Sequence, residues 1–172
     1  MKQFFLLVLC LFLCQTSFAA VGEAARAKEL QSLQSKDMIV YKPGKTSAVV
    51  TIFTDLDCGY CRKLHDTIPT LLKHGIEVHY LAFPRQGLNT AAYNKMVSIW
   101  CSKDPQAALS QAMHGQPPVP ATCQNMVKQQ FLMGRKWGIT GTPTIVYSDG
   151  TIWDGYLSPD KLARDAVKHS GG

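Results

Sequence analysis

The sequence predicts an α/β domain in which strands and helices follow one another along the chain. Three observations lead to that expectation. Ala48 to Thr54 (AVVTIFT) is apolar and β-branched, as a central buried strand requires. From Cys58 to about His74 the period changes, with Cys61, Leu64, Ile68, Leu71 and Leu72 recurring three and four apart on one helix face. Near the C-terminus Asp149-Gly150 separates two β-rich runs, Thr144–Tyr147 and Thr151–Trp153, which is a strong hairpin signal.

The first residues read differently. Lys2 gives a short positive region, Phe4 to Cys14 is an unbroken apolar run, and Ser17-Phe18-Ala19 places small residues at −3 and −1 of a cleavage site. Residues 1–19 are therefore expected to be a secretory signal peptide. The run is too short for a bilayer core of about 30 Å, which takes about 20 apolar residues. Cys10 and Cys14 each follow a Leu where a lipobox needs a small residue, so both read as part of the apolar region lost on processing. Cleavage after Ala19 leaves about 150 residues, the size of one ordinary domain.

Residues 20–45 are expected to form an N-terminal helix and linker. Val21 to Lys36 is rich in Ala, Glu, Lys and Gln, with Leu30 and Leu33 at helical spacing, and reads as one exposed amphipathic helix. Met38-Ile39-Val40-Tyr41 is a short strand that Pro43-Gly44 ends. The helix after the central strand contains Pro69, which predicts a kink, and Gly75 is well placed to end it. Glu77 to Phe83 alternates as a second strand. Thr90–Cys101, Pro105–Met113 and Cys123–Trp137 read as helices around the Pro-rich loop Gly115–Thr122. A closing helix starts at Ser158-Pro159, with Ser as N-cap and Pro at the first helical position. The order β, α, β, helical insertion, β-hairpin, α is that of the thioredoxin fold with a helical insertion, preceded by a short N-terminal linker-like helix. Residues 46–172 read as the thioredoxin-like catalytic domain.

Composition excludes other classes. The formal charge is +6 at pH 7. The cations come only in pairs, Arg62-Lys63 and Arg135-Lys136, or on one helix face at Lys161, Arg164 and Lys168. That pattern describes a solvated surface, and no nucleic-acid partner is expected. No stretch after the signal peptide is long and apolar enough to insert into a membrane. Four cysteines remain after processing, and an even count in an exported protein favours disulfides.

Cys58-Gly59-Tyr60-Cys61 sits where strand passes into helix. A thiolate is the nucleophile of disulfide exchange, and free cysteine ionises near pH ~8.5. At the helix mouth the Cys58 sulfur meets the positive end of the dipole, worth up to about 2 kcal/mol, or little more than about one pKa unit. Larger shifts need N–H bonds to the sulfur, most simply from Tyr60 and Cys61. Cys61 lies one turn further in on the apolar face and should keep its proton longer. Cys58 is thus the expected attacking thiol, and either Cys61 or a second substrate thiol resolves the mixed disulfide. A zinc ribbon would need a second CxxC, and His65 supplies a third ligand but no fourth, so no metal is expected. A haem site would need His where Arg62 stands. His65 reads as a helix-surface or packing residue rather than a catalyst, and no cofactor is implied.

Gly141-Thr142-Pro143 precedes the strand Thr144–Tyr147. A cis Thr142–Pro143 bond would face Cys58 and leave the Thr142 backbone free to pair with an extended substrate, while a trans turn fits the residues equally well. Cys101 and Cys123 lie in the helical insertion, away from any CxxC context, and read as a structural pair worth about 3 kcal/mol if oxidised. Trp100, Trp137 and Trp153 read as core or interface residues.

From about Leu30 onward the chain resembles the bacterial periplasmic disulfide isomerases, the DsbC and DsbG family, on its DsbC side. The marks are Met38-Ile39-Val40-Tyr41, Phe53-Thr54-Asp55, the Cys58–Cys61 motif followed by Lys63-Leu64-His65, Tyr80-Leu81-Ala82-Phe83-Pro84-Arg85-Gln86-Gly87-Leu88, Ile99-Trp100-Cys101, and Gly141-Thr142-Pro143. The resemblance implies Cys58 as attacking and Cys61 as resolving thiol, a cis Pro143, and a structural Cys101–Cys123 disulfide. It implies a periplasmic location, exported disulfide-containing substrates, and electrons from a membrane thiol reductase of the DsbD type. Family members carry an N-terminal dimerisation domain for which this sequence has room only for the linker-like helix. A monomer without it would be open to a DsbB-type oxidase and could run as a net oxidase. A binding or assembly factor with incidental redox chemistry is the reading of another class. Thioredoxin keeps a buried acid six residues before its first cysteine, where this chain has Ile52.

Overall fold

A computed structural model describes residues 21–170, so the expected signal peptide lies outside the described residues. Five strands form one mixed sheet: β1 (Ile39–Tyr41), β2 (Ala48–Thr54), β3 (Ile76–Ala82), β4 (Thr144–Tyr147) and β5 (Ile152–Asp154), in the order β1-β3-β2-β4-β5. β2 runs parallel to β3, with Thr54 opposite Ala82, and every other pairing is antiparallel. β2 is the middle strand and is covered on both faces, which is why it reads as a continuous apolar run rather than an alternation.

Helices α2 (Gly59–His65) and α3 (Ile68–Lys73) replace the single kinked helix expected over Cys58–His74. Pro69 has no N–H to offer the His65 carbonyl, so the ladder breaks there rather than bending. Thr67 restarts it from the N-cap position, and Pro69 falls in the first turn of α3, where a missing N–H is no loss. Gly75 ends α3 at φ 76°, and a Cβ there would meet the Ser47 hydroxyl at 2.7 Å.

The insertion holds α4 (Ala91–Trp100), α5 (Pro105–Met113) and α6 (Val127–Lys136). The Thr90 hydroxyl accepts from Tyr93 N–H, and the Asp104 carboxylate accepts from Ala107 N–H. Helix α6 begins four residues later than the pattern from Cys123 suggests. Asn125 donates to the Cys123 carbonyl and accepts from Val127 N–H, an Asx turn that holds 123–126 outside the helix. Helix α7 (Pro159–Lys168) starts after Ser158, whose side chain makes no capping bond.

Two apolar clusters lie on the two faces of the sheet. One gathers Leu64, Leu71, Met96, Ile99, Leu109 and Leu162 around β2 and β3. The other is Phe53, Leu81, Phe83, Trp137, Ile139 and Val146. Gly134 lets α6 reach the second cluster, since a Cβ there would stand 2.7 Å from the Phe83 ring.

Helix α1 (Glu23–Ser32) is not the free, exposed helix that its composition suggested. Leu30 and Leu33 rest on the second cluster. Arg26 donates to the Gly150 carbonyl (2.7 Å), and Glu29 accepts from Trp137 Nε1 (2.9 Å) and pairs with Lys136 (3.0 Å). The anchors are mostly polar and come from distant parts of the chain, so helical periodicity gives no sign of them. Of the three tryptophans, Trp137 is core, Trp100 is partly buried against the first cluster, and Trp153 is 41 % exposed on the edge strand with Lys161 over its ring.

Candidate active site

The site is built at the end of β2, where the chain turns into α2. Asp55, only 1 % exposed, organises the turn. One carboxylate oxygen accepts from Asp57 N–H (2.9 Å); the other accepts from the backbone N–H and Nε of Arg85 (3.0 and 2.9 Å). Arg85 also donates to the Asp57 carbonyl, and Arg62 donates twice to the Leu56 carbonyl (3.1 and 2.8 Å). These bonds tie the turn to the loop after β3 and fix Cys58 at the N-cap of α2.

Cys58 and Cys61 are both free thiols and both buried, at 4 % and 1 % exposure. The Cys58 thiol donates to the Thr142 carbonyl at 3.1 Å. Burial pushes Cys58 up, but hydrogen bonds from the Thr142 side chain and from the backbone and side chain of Cys61, with the Arg85 charge nearby, outweigh burial and hold it below the usual cysteine value. Cys61 goes the other way, and burial pushes it up to about 12. Of the two N–H donors anticipated for Cys58, the Cys61 N–H is among the groups that lower it.

The Thr142–Pro143 bond is cis. The loop is held by Gly155 N–H donating to the Pro143 carbonyl (2.8 Å) and by the Thr144 hydroxyl donating to the Gly141 carbonyl (2.9 Å). Two buried hydroxyls, Thr54 Oγ1 and Thr142 Oγ1, have no hydrogen-bond partner among the described residues. Both are placed to stabilise a Cys61 thiolate, and Thr142 serves Cys58 as well.

Around the sulfurs, Tyr60 is 61 % exposed and Lys63 lies over the Tyr156 ring at 4.5 Å. A Cβ on Gly59 would meet nothing within 4 Å, so sterics do not demand glycine there. Cys101 and Cys123 are joined in a disulfide in the insertion. His65 is buried with Nδ1 against the Tyr80 hydroxyl (3.2 Å) and Nε2 against the Ser110 hydroxyl (3.0 Å), so neither nitrogen is turned to the cysteines. Among the described residues no group of three or more His, Cys, Asp or Glu could hold a metal ion.

Sequence reasoning brought together Cys58, Cys61, Thr142 and Pro143 but gave no task to Thr54, Asp55 or Arg85. Their signal was present in Phe53-Thr54-Asp55 and Pro84-Arg85, where polar residues follow directly on apolar strands. Two sulfurs of opposed acidity, three residues apart, are able to make and break a disulfide with each other and with a third sulfur.

A thioredoxin-like domain family matches residues 34–166. Among curated proteins the chain is 42 % identical over 142 residues to the thiol:disulfide interchange protein DsbC of Escherichia coli K12, and that match covers 83 % of this chain and 60 % of the relative. It is 44 % identical over 141 residues to DsbC of Salmonella typhimurium, covering 82 % and 59 %. The chain thus spans about three fifths of the length of these curated relatives. Among solved structures, a disulfide interchange protein from Neisseria gonorrhoeae superposes with a TM-score of 0.69 at 25 % identity, covering 78 % of this chain and 99 % of that one.

Proposed function

The chain belongs to the thioredoxin-like domain family, and from that premise we propose that it is a thiol–disulfide oxidoreductase that reduces or isomerises non-native disulfides in exported proteins. Cys58 is the attacking thiol and Cys61 the resolving one. The observation that carries this reading is the opposed acidity of two buried, unbonded sulfurs, one held below the usual value and the other pushed up to about 12. A thiolate at Cys58 attacks one sulfur of a substrate disulfide and forms a mixed disulfide; the electron pair leaves on the other substrate sulfur. If Cys61 then attacks, substrate is reduced. If the released substrate thiolate attacks a different sulfur, substrate is isomerised.

The stabilised Cys58 thiolate favours the reduced dithiol, the form that attacks in isomerisation, and by the same token makes the disulfide form a stronger oxidant. What supports reductase or isomerase over net oxidase is the likeness to DsbC. Thr142 and Pro143 form the wall against which an extended substrate lies, Gly59 and Tyr60 present the dithiol, and the Cys101–Cys123 pair braces the insertion. The signal peptide reading places the work in the periplasm, with a membrane thiol reductase as electron source.

The test is recovery of activity from scrambled ribonuclease. The parent chain should restore it, Cys58→Ala should not, and Cys61→Ala should accumulate mixed disulfides trapped at Cys58. Recovery by the Cys58→Ala variant would contradict the assignment.

A further inference from the structure

The resolving step raises a question that the two cysteines leave open. Cys61 must lose its proton to attack, yet it is 1 % exposed, and Ile52 stands where an acid would otherwise take the proton. We infer that the Thr54 hydroxyl is a catalytic group of this dithiol, a fixed donor that hydrogen-bonds the Cys61 sulfur as it becomes the attacking thiolate. This role rests on the thiol-exchange reading given above.

Three features support it. Thr54 is fully buried at the last position of β2, and its hydroxyl has no partner among the described residues. A buried hydroxyl left unpaired costs about 1–3 kcal/mol, and an apolar residue of the same shape would avoid that cost. Against the burial that raises the Cys61 thiol, the Thr142 side chain, the Thr54 hydroxyl and the Asp55 backbone each act to lower it. Its backbone is also fixed, since Thr54 stands opposite Ala82 and its carbonyl accepts from Phe83 N–H at 2.8 Å. A donor that need not reorganise is most useful where charge appears only during the reaction.

In the step itself the Cys61 thiolate attacks Cys58 Sγ of the mixed disulfide. The Cys58–Cys61 bond forms and the bond from Cys58 to the substrate sulfur breaks. The electron pair leaves on the substrate sulfur, which takes up the proton that Cys61 gave away. The cysteine pair is oxidised by two electrons and the substrate sulfur is reduced. The Thr54 hydroxyl keeps its own proton throughout. The other titratable groups facing Cys61 are Cys58, Tyr80 and Arg85.

Thr54→Val keeps the shape and removes the donor; Thr54→Ser keeps the donor. The reduced full chain is mixed with oxidised glutathione, and the lifetime of the glutathione–Cys58 mixed disulfide is followed by quenching and alkylation across a pH series. Thr54→Val should fold with undiminished thermal stability and release the second glutathione about tenfold more slowly, the size expected for one bond to a charged group. Its pH profile should move up by about one unit, and Thr54→Ser should return both to near the parent. Equal release rates and profiles in parent and Thr54→Val would overturn the role of Thr54 alone. A parent chain that forms no mixed disulfide at Cys58 would overturn the exchange reading and this role with it.

Discussion

His65 shows how one side chain joins local chemistry to global stability. It lies one turn beyond Cys61 with both nitrogens occupied by the Tyr80 and Ser110 hydroxyls. Burial pulls its imidazole down to about 4, the nearby His114 adds to this, and Asp66 opposes it. The unfolded chain therefore binds a proton near pH 6.5 that the folded chain refuses until about 4. Stability from this group is fully present above pH 6.5 and is lost as pH falls through that window. Urea unfolding at pH 7 and pH 4.5 reads it: the parent should lose about 2 kcal/mol more across that interval than His65→Gln. Equal losses would show that the imidazole is not held neutral. Asp55 and Arg85 act on the same scale, since one buried carboxylate with three donors sets where the Cys58 backbone begins its helix.

At the level of elements, each departure from the expected pattern has a physical cause. The break between α2 and α3 comes from the missing N–H of Pro69, and the late start of α6 from the Asx turn at Asn125. The docking of α1 depends on Gly150 at the hairpin turn. That residue has φ 86°, and a Cβ on it would stand 2.0 Å from the Glu23 carbonyl oxygen. Gly150→Ala adds left-handed strain of about 1–2 kcal/mol and drives a methyl group into the helix backbone. Hydrogen exchange should show α1 amides losing protection well beyond the general loss, while amides of the central strand β2 fall only with global stability. Unchanged protection in α1 would mean that the helix is not held at this turn.

For the whole molecule, what the sequence made legible depended on range. The β2 run, the Cys58–Cys61 motif, the Asp149-Gly150 turn and the helix starts at Thr90 and Pro105 are local, and a window of ten residues contains their cause. The side on which α1 docks, the Arg85–Asp55 pair and the orphan Thr54 hydroxyl arise only when residues far apart in sequence meet, so periodicity could not reveal them. The opposed acidity of the two cysteines lies between these cases. The helix mouth is visible in the sequence, but the Thr142 side chain that favours the Cys58 thiolate belongs to a residue 84 positions away.

The account stands most directly on the ionisation of Cys58. The reduced protein should be titrated by thiolate absorbance and by the pH dependence of its alkylation rate, with Cys61→Ala identifying which sulfur responds. The account predicts that Cys58 ionises clearly below free cysteine, near ~8.5, while Cys61 stays protonated well above it. A Cys58 that ionises at or above the value of free cysteine would contradict it.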